Sequence, residues 1–221
     1  MRFAFPSPII RKATAVPDFS FELSQPGRIA GVDEAGRGPW AGPVVAGAAI
    51  LNPDTLPQDL IDGLDDSKKL KAEKREALLV RLQASDAVLG MGIASVAEID
   101  ELNILQATML AMKRAVADLA VVPDYALIDG NRVPDGLACG AEAVVKGDGR
   151  SLSIAAASIV AKVSRDRMMA ELDRQYPGYG WVSNAGYGTK AHQEGLAQLG
   201  VTPEHRKSFA PIRKILSHAD S

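Results

Sequence analysis

Short apolar runs along the chain alternate with longer stretches in which apolar positions recur every three or four residues, and these two periods separate strands from helices. Residues 28–33 and 44–51 are apolar runs joined by a stretch rich in Gly and Pro, which predicts two strands with a tight, most simply antiparallel, connection. Ser67 is the expected N-cap of a basic helix reaching about residue 84, and residues 88–94 form a third strand. From Leu102 the positions Leu102, Leu105, Met109, Met112, Val116 and Leu119 step by three and four, the spacing of one helix with a single face against a sheet. Residues 125–128 and 143–145 are brief β runs, each leading into an acid. Residues 151–174 read as a helix whose small-residue segment, 154–161, permits close approach to the sheet, and the tail from Gly186 supplies one or two shorter helices. Three strands followed by helix and strand in alternation imply an α/β fold: a mixed central sheet with an antiparallel portion, flanked by helices.

Residues 1–26 carry four prolines and no periodicity, so they are expected to form an arm that lies over the domain or stays mobile. The domain proper is expected over residues 27–221. Because the arm contributes no motif, its removal is expected to leave activity mostly unchanged.

Composition limits the function. At 221 residues and 47% hydrophobic content the chain can bury the core of one large domain. Its apolar runs are too short to span a bilayer, and Pro6 and Pro8 break what would be a signal-peptide core, so a cytoplasmic protein with no membrane partner is expected. The lone cysteine, Cys139, excludes an intramolecular disulfide and a cysteine metal cluster. A net charge of −2 argues against bulk attraction to nucleic acid, yet Lys68, Lys69, Lys71, Lys74 and Arg75 fall within eight residues and leave room for a local basic face.

The candidate chemistry begins at Asp33 and Glu34, two acids at the end of an apolar run before a glycine-rich turn. Gly31 to Gly38 has the spacing of a P-loop, but Arg37 and Gly38 stand where Lys and Ser or Thr are needed. The segment also fits a loose dinucleotide fingerprint, yet Pro39, Gly42 and Pro43 follow where a helix must begin. A hard divalent cation suits paired carboxylates better, because it offsets the crowding of negative charge. Consecutive strand residues point to opposite faces, so both acids reach one site only where the strand ends or bends, a bend that "EAGRG" supplies. Of the four Asp-Gly dipeptides, Asp129 and Asp148 close β runs. With Asp33 and Glu34 they can form one acidic cluster of the kind that holds two metals; spacing alone leaves plain turn chemistry equally open.

The motifs "GVDEAGRGPWAGPVVAGAAIL", "DDSKKL", "IDG", "VVKGDGRSLSIAAASIVAKVSRDR", "YPGYG", "GYGTKAH" and "HRKSFAP" together resemble bacterial ribonuclease HII, in order and at similar intervals from Gly31 to Pro211. The resemblance implies the ribonuclease H-like fold with a helical C-terminal extension. It implies that Asp33, Glu34, Asp129 and Asp148 are the metal-binding and catalytic acids, holding two divalent cations, Mg²⁺ or Mn²⁺. Gly36, Arg37 and Gly38 match the loop that reads the 2′-hydroxyl at an RNA–DNA junction, and Tyr187 matches the tyrosine that packs on the following sugar, with a core tyrosine as the alternative. Where many relatives carry His-Lys before Gly-Tyr-Gly-Thr, this chain has Asn184-Ala185, and one phosphate contact is expected to be missing.

The function implied is a metal-dependent endoribonuclease, expected as a monomer. It would hydrolyse the RNA strand of RNA–DNA hybrids and nick DNA duplexes 5′ of embedded ribonucleotides, leaving 3′-hydroxyl and 5′-phosphate ends. Lys146, and Lys68 or Lys69, are candidates to meet phosphate or temper the acids. His192 and His205 remain open between a proton carrier or phosphate ligand and a packing role. Ser67, Asn103, Ser153 and Ser158 receive no chemical role. Rival readings are a DNA nuclease or strand-transfer enzyme on the same fold, which the glycine-arginine-glycine loop disfavours, and a non-catalytic hybrid-binding module, which four acids facing a polyanion disfavour.

Overall fold

The computed structural model describes residues 16–219, with side chains through 217. Five strands form one mixed sheet: β1 (Ile29–Ala35), β2 (Val44–Ile50), β3 (Val88–Ala94), β4 (Tyr125–Asp129) and β5 (Gly140–Val144), in the order β3-β2-β1-β4-β5. The first three are antiparallel neighbours, whereas β4 runs parallel to β1 and β5 parallel to β4. The helices are α1 (Gln58–Ile61), α2 (Ala72–Gln83), α3 (Val96–Leu102), α4 (Ile104–Ala117), α5 (Leu152–Gln175), α6 (Trp181–Asn184), α7 (Lys190–Leu199) and α8 (Ala210–Ala219). Helix α4 covers one face of the sheet, burying Ala111, Met112 and Val116 against Val32, Ala46, Ala48 and Ile128. Helix α5 covers the other face with α1 and α2 outside it. Among the described residues no helix is long and apolar enough to cross a membrane.

The small-residue segment of α5 does what its composition predicts. A Cβ on Gly31 of β1 would stand 2.1 Å from the Ser153 carbonyl carbon, and one on Gly47 of β2 would stand 2.3 Å from the Ala157 oxygen. The helix backbone therefore rests directly on the two central strands, which fixes its N-terminal turn beside the strand ends.

Several boundaries differ from the sequence expectation. Ser67 does not cap a helix: the Asp66 side chain accepts the Lys68 N–H at 2.9 Å, its carbonyl accepts the Lys69 N–H at 2.9 Å, and this turn delays α2 to Ala72. The single helix expected from Leu102 is two helices. Asn103, at φ 72°, ends α3 and caps α4 with its side-chain oxygen on the Leu105 and Gln106 N–H groups, leaving Leu102 at the terminus of α3. The last strand starts at Gly140, three residues earlier than expected, and excludes Val145, which is exposed; at the sheet edge only one side of the strand is recorded in its sequence. In the tail, α6 precedes Gly186 and two helices follow it.

Residues 1–15 lie outside the described residues. Those that follow are bound to the domain. Phe19 and Phe21 pack against the α5 side, and Asp18 bridges to Ser151. This part of the expected arm therefore lies over the domain.

Candidate active site

The ladder between β1 and β4 ends at Val32–Ile128, while β1 stays paired with β2 as far as Ala35–Val45. Beyond Val32 the edge of β1 that faces β4 is therefore open. Asp33 and Asp129 are the next residues of the two parallel strands and share the face that α5 covers. By strand alternation Glu34 belongs to the opposite face. It nevertheless brings an oxygen to the same point, while β1 stays paired with β2 through both acids to Ala35. The bend expected at "EAGRG" comes one residue later than needed to explain the pair. One ligand oxygen from each of Asp33, Glu34 and Asp129 lies within 4.8 Å of the others.

Each carboxylate is held. Asp33 Oδ1 accepts the Glu34 N–H at 2.7 Å, Asp129 Oδ1 accepts the Gly147 N–H at 2.7 Å, and Glu34 Oε1 accepts from Arg37 at 3.2 Å. Asp148 lies on a 3-10 turn, Gly147–Gly149, outside the triplet, and pairs with Lys68 at 3.5 Å. Burial and the neighbouring Glu34 and Asp129 push the Asp33 carboxyl well above the usual carboxylate range. Burial also raises Glu34 despite Arg37, and burial with Asp129 and Asp66 raises Asp148. Burial opposes the charge on Lys68, but Asp33, Asp148, Asp66 and Asp129 outweigh it and hold that ammonium above its ordinary value. Three converging oxygen-only donors, with Asp33 and Glu34 pushed toward the neutral form by burial, fit a hard divalent cation, which restores the missing positive charge.

Beside the acids a groove of about 240 Å³ is lined by Gly36, Arg37, Gly38, Lys68, Lys162 and Tyr187. Gly36 has φ 98°, and a Cβ there would stand 2.0 Å from Arg165 Nε. Gly38 lies under Tyr187, with the position of its absent Cβ 3.2 Å from Tyr187 Cε1. Tyr187 is 51% exposed, which removes the core-tyrosine alternative. The loop is held from below by two buried arginines that motif spacing did not single out. Arg165 donates to the carbonyls of Pro43, Ala185 and Ala41, and Arg206 to those of Gly42, Arg37, Gly36 and Pro43. The only advance signal was an arginine inside each of the segments "SRDR" and "HRKS", whose charge a helix face or a tail would ordinarily present to solvent.

The remaining candidates divide. Lys146 is exposed, adopts the left-handed region at φ 56°, and forms no ion pair among the described residues; Lys69 pairs with Asp65. Lys68 is the lysine that meets the acids. His192 and His205 are fully buried, so neither meets a phosphate in this structure. His192 Nδ1 donates to the Tyr187 carbonyl at 3.0 Å; His192 Nε2 then accepts from Trp181 Nε1 at 3.1 Å and from His205 Nε2 at 3.0 Å, while His205 Nδ1 accepts the Thr202 N–H at 3.0 Å. Asn184 points inward, bonding the Tyr179 carbonyl and the Gly186 N–H, and presents nothing to a phosphate.

The family model described as Ribonuclease HII matches residues 30–212. The ribonuclease HII of Jannaschia sp. is 60% identical over 201 residues, covering 90% of this chain and 98% of its own, and that of Rhodospirillum rubrum is 58% identical over 205 residues, covering 92% and 94%. Among solved structures, ribonuclease H2 from Pyrococcus horikoshii superposes with a TM-score of 0.72 at 29% identity, covering 88% of this chain and 99% of that one. Bst-RNase HIII in complex with Mn²⁺ shares the fold at a TM-score of 0.67 and 20% identity, over 87% of this chain and 70% of that one. With the acids gathered at the open edge of β1 and the matched span running from β1 into α8, the chain belongs to the ribonuclease HII family, metal-dependent ribonuclease H-type endonucleases that act on RNA–DNA hybrids.

Proposed function

We propose that this enzyme cleaves RNA–DNA hybrids and also nicks DNA duplexes at the 5′ side of an embedded ribonucleotide, leaving 3′-hydroxyl and 5′-phosphate ends, with Mg²⁺ or Mn²⁺ held by Asp33, Glu34, Asp129 and Asp148. The observation that carries this reading is the adjacency of the convergent acids to the Gly36–Gly38 loop with Tyr187 lying over it. The chemistry that divalent cations supply when bound among such acids is activation of a water and stabilisation of the departing 3′-oxygen.

The protein's own contribution is position. Backbone groups of Gly36 to Gly38 approach a sugar edge that a side chain would obstruct, so they can test for a 2′-hydroxyl. The exposed Tyr187 ring offers a flat surface to the next sugar and sets the phosphate relative to the acids. Arg37 tethers Glu34 and, half-exposed, faces the polyanion, while Lys68 reduces the repulsion between the acids and the approaching backbone. With Asn184 turned inward, phosphate contact on that side falls to Lys162 and Arg37, which line the groove. The enzyme acts as a monomer in the cytoplasm on this reading.

A DNA duplex carrying one ribonucleotide, incubated with Mg²⁺, Mn²⁺ or chelator, tests the proposal. Cleavage at the 5′ side of the ribonucleotide, abolished by chelator, is expected. Equal cleavage of the all-DNA duplex would overturn ribose recognition and favour a DNA nuclease.

A further inference from the structure

The residues that fix Asp129 and Asp148 extend beyond the elements that carry them. Gly147 is the first link. Its N–H donates to Asp129 Oδ1, and its carbonyl accepts the N–H groups of Arg150 at 2.9 Å and Ser151 at 2.8 Å. The Ser151 hydroxyl caps α5 by accepting the Ile154 N–H at 3.1 Å and donates in turn to Glu22 Oε1 at 2.7 Å. The same Glu22 oxygen accepts the Ser153 N–H at 2.8 Å. A continuous path of hydrogen bonds thus runs from Glu22 through Ser151 and Gly147 to a carboxylate of the active site.

The rest of the segment is sewn to the same turn. The Asp18 N–H donates to the Arg150 carbonyl at 3.3 Å, the Leu152 N–H donates to the Asp18 carbonyl at 3.2 Å, and the Arg150 guanidinium lies 4.7 Å from the centre of the Phe21 ring. Glu22 is only 5% exposed and its carboxylate sits at the N-terminus of a 24-residue helix, where the helix dipole favours negative charge. The turn it braces includes Lys146 in the left-handed region, a conformation that persists in a non-glycine residue only when its surroundings over-determine it. Glu22 lies outside the span that the family model matches.

We propose that Glu22 is a positioning residue for the active site: through Ser151 and Gly147 it sets where the Asp129 and Asp148 carboxylates stand, which makes residues 18–24 part of the catalytic unit. This rests on the reading of Asp129 as a metal ligand. Outer partners of metal ligands typically change metal affinity about 10–100-fold when removed. Glu22→Ala is accordingly expected to weaken Mn²⁺ binding by about tenfold or more. Glu22→Gln keeps an oxygen where Oε1 accepts both bonds and is expected to stay within about threefold of the parent, on the same scale.

The test is Mn²⁺ binding to the full chain without substrate, by titration calorimetry, with melting temperature measured in parallel. Val116→Ala, on the opposite face of the sheet, serves as a control for stability loss alone and is expected to bind Mn²⁺ normally. If Glu22→Ala does not fold, Glu22→Asp replaces it; one methylene shorter, it keeps the charge but cannot reach both Ser151 and Ser153, and the same weakening is expected. A folded Glu22→Ala or Glu22→Asp protein that binds Mn²⁺ as tightly as the parent overturns the proposal, as does Glu22→Gln failing as badly as Glu22→Ala. Asp129→Asn separates the two layers of the argument. If it binds Mn²⁺ normally, the reading of the acids is at fault; if it alone weakens binding, only the brace is.

Discussion

The Arg206 guanidinium donates to the Gly36 carbonyl at 2.6 Å across 170 positions of sequence, and so ties the last part of the matched span to the loop beside the acids. Together with Arg165 it occupies carbonyls from Gly36 to Pro43 that would otherwise be buried without donors. Neither arginine has a carboxylate partner within salt-bridge distance among the described residues, and burial lowers their pKa values to about 10 for Arg165 and about 9 for Arg206. Both remain charged at neutral pH. Arg206→Met leaves the Gly36, Arg37 and Gly42 carbonyls without this donor, while Pro43 keeps Arg165, at roughly 1–3 kcal/mol for each that is buried, so a large fall in melting temperature and loss of cleavage are expected. Arg206→Lys should not rescue either property, because one ammonium cannot reproduce the fork that spans Gly36, Arg37 and Gly42. A lysine variant that melts and cleaves like the parent would remove the fork from the explanation.

Asp33→Asn separates the chemistry of the acids from the stability of the fold. Asp33 is 3% exposed and its carboxyl titrates well above the ordinary range, so the folded state binds a proton that the unfolded chain has released. A raised acid pKa makes the charged form a cost above the unfolded value, and the cost disappears as pH falls. The metal-free Asp33→Asn protein is therefore expected to melt higher than the parent at neutral pH, by about 2–4 °C for each kcal/mol recovered, with the gain vanishing in acid. Cleavage should be lost. A variant that melts lower at pH 7.5 yet regains activity in excess metal would show that Asp33 serves packing.

The sequence carried the parts of this picture that depend on local pattern. The runs around Val32, Ala46 and Ile128 predicted strands, and the small residues from Ile154 to Ala161 predicted the close packing that Gly31 and Gly47 receive. Asp33, Glu34 and Asp129 were legible through the resemblance that their distinctive motifs carry, because spacing alone left plain turn chemistry equally open. Arg165 and Arg206 were not, because their partners are backbone carbonyls, which leave no trace in residue type. The division of α3 from α4 at Asn103 was hidden since the apolar steps from Leu102 to Leu105 continue across it. Glu22 was hidden for a related reason: its partners Ser151 and Ser153 are 129 and 131 residues away.

The buried histidines predict an acid-sensitive stability. Burial, with His192 alongside, holds His205 at about 4 against an ordinary value of 6.5, and burial lowers His192 as well. The unfolded chain takes up protons below 6.5 that the folded protein refuses, so this contribution is complete above that pH and is lost as pH falls toward 4. For His205 alone it amounts to on the order of 3 kcal/mol. Melting temperatures between pH 7.5 and 4.5 should fall steeply for the parent and less steeply for His205→Gln. Parallel curves would mean that the acid sensitivity arises elsewhere.

Tyr187 and Gly38 test how ribose is distinguished from deoxyribose. Because Tyr187 is half-exposed, its truncation empties no core, and Tyr187→Ala should melt within about 1 kcal/mol of the parent, as surface substitutions do. Its cleavage of the single-ribonucleotide duplex should nevertheless fall by about 10²-fold, the size of effect expected when a reacting group is misplaced by an ångström, while Tyr187→Phe stays close to the parent. Gly38 adds the complementary arm. A Cβ there meets the Tyr187 ring at 3.2 Å, so Gly38→Val pushes the ring aside and fills the path by which a backbone group approaches the sugar. Binding to duplex of any sugar should change little, since Arg37 and Lys68 still face the phosphates. Cleavage that depends on the ribonucleotide should be lost. If a Gly38→Val protein with a normal melt nicks at the ribonucleotide at full rate, the loop does not read the 2′-hydroxyl, and the Tyr187 ring that the same substitution displaces does not set the sugar either.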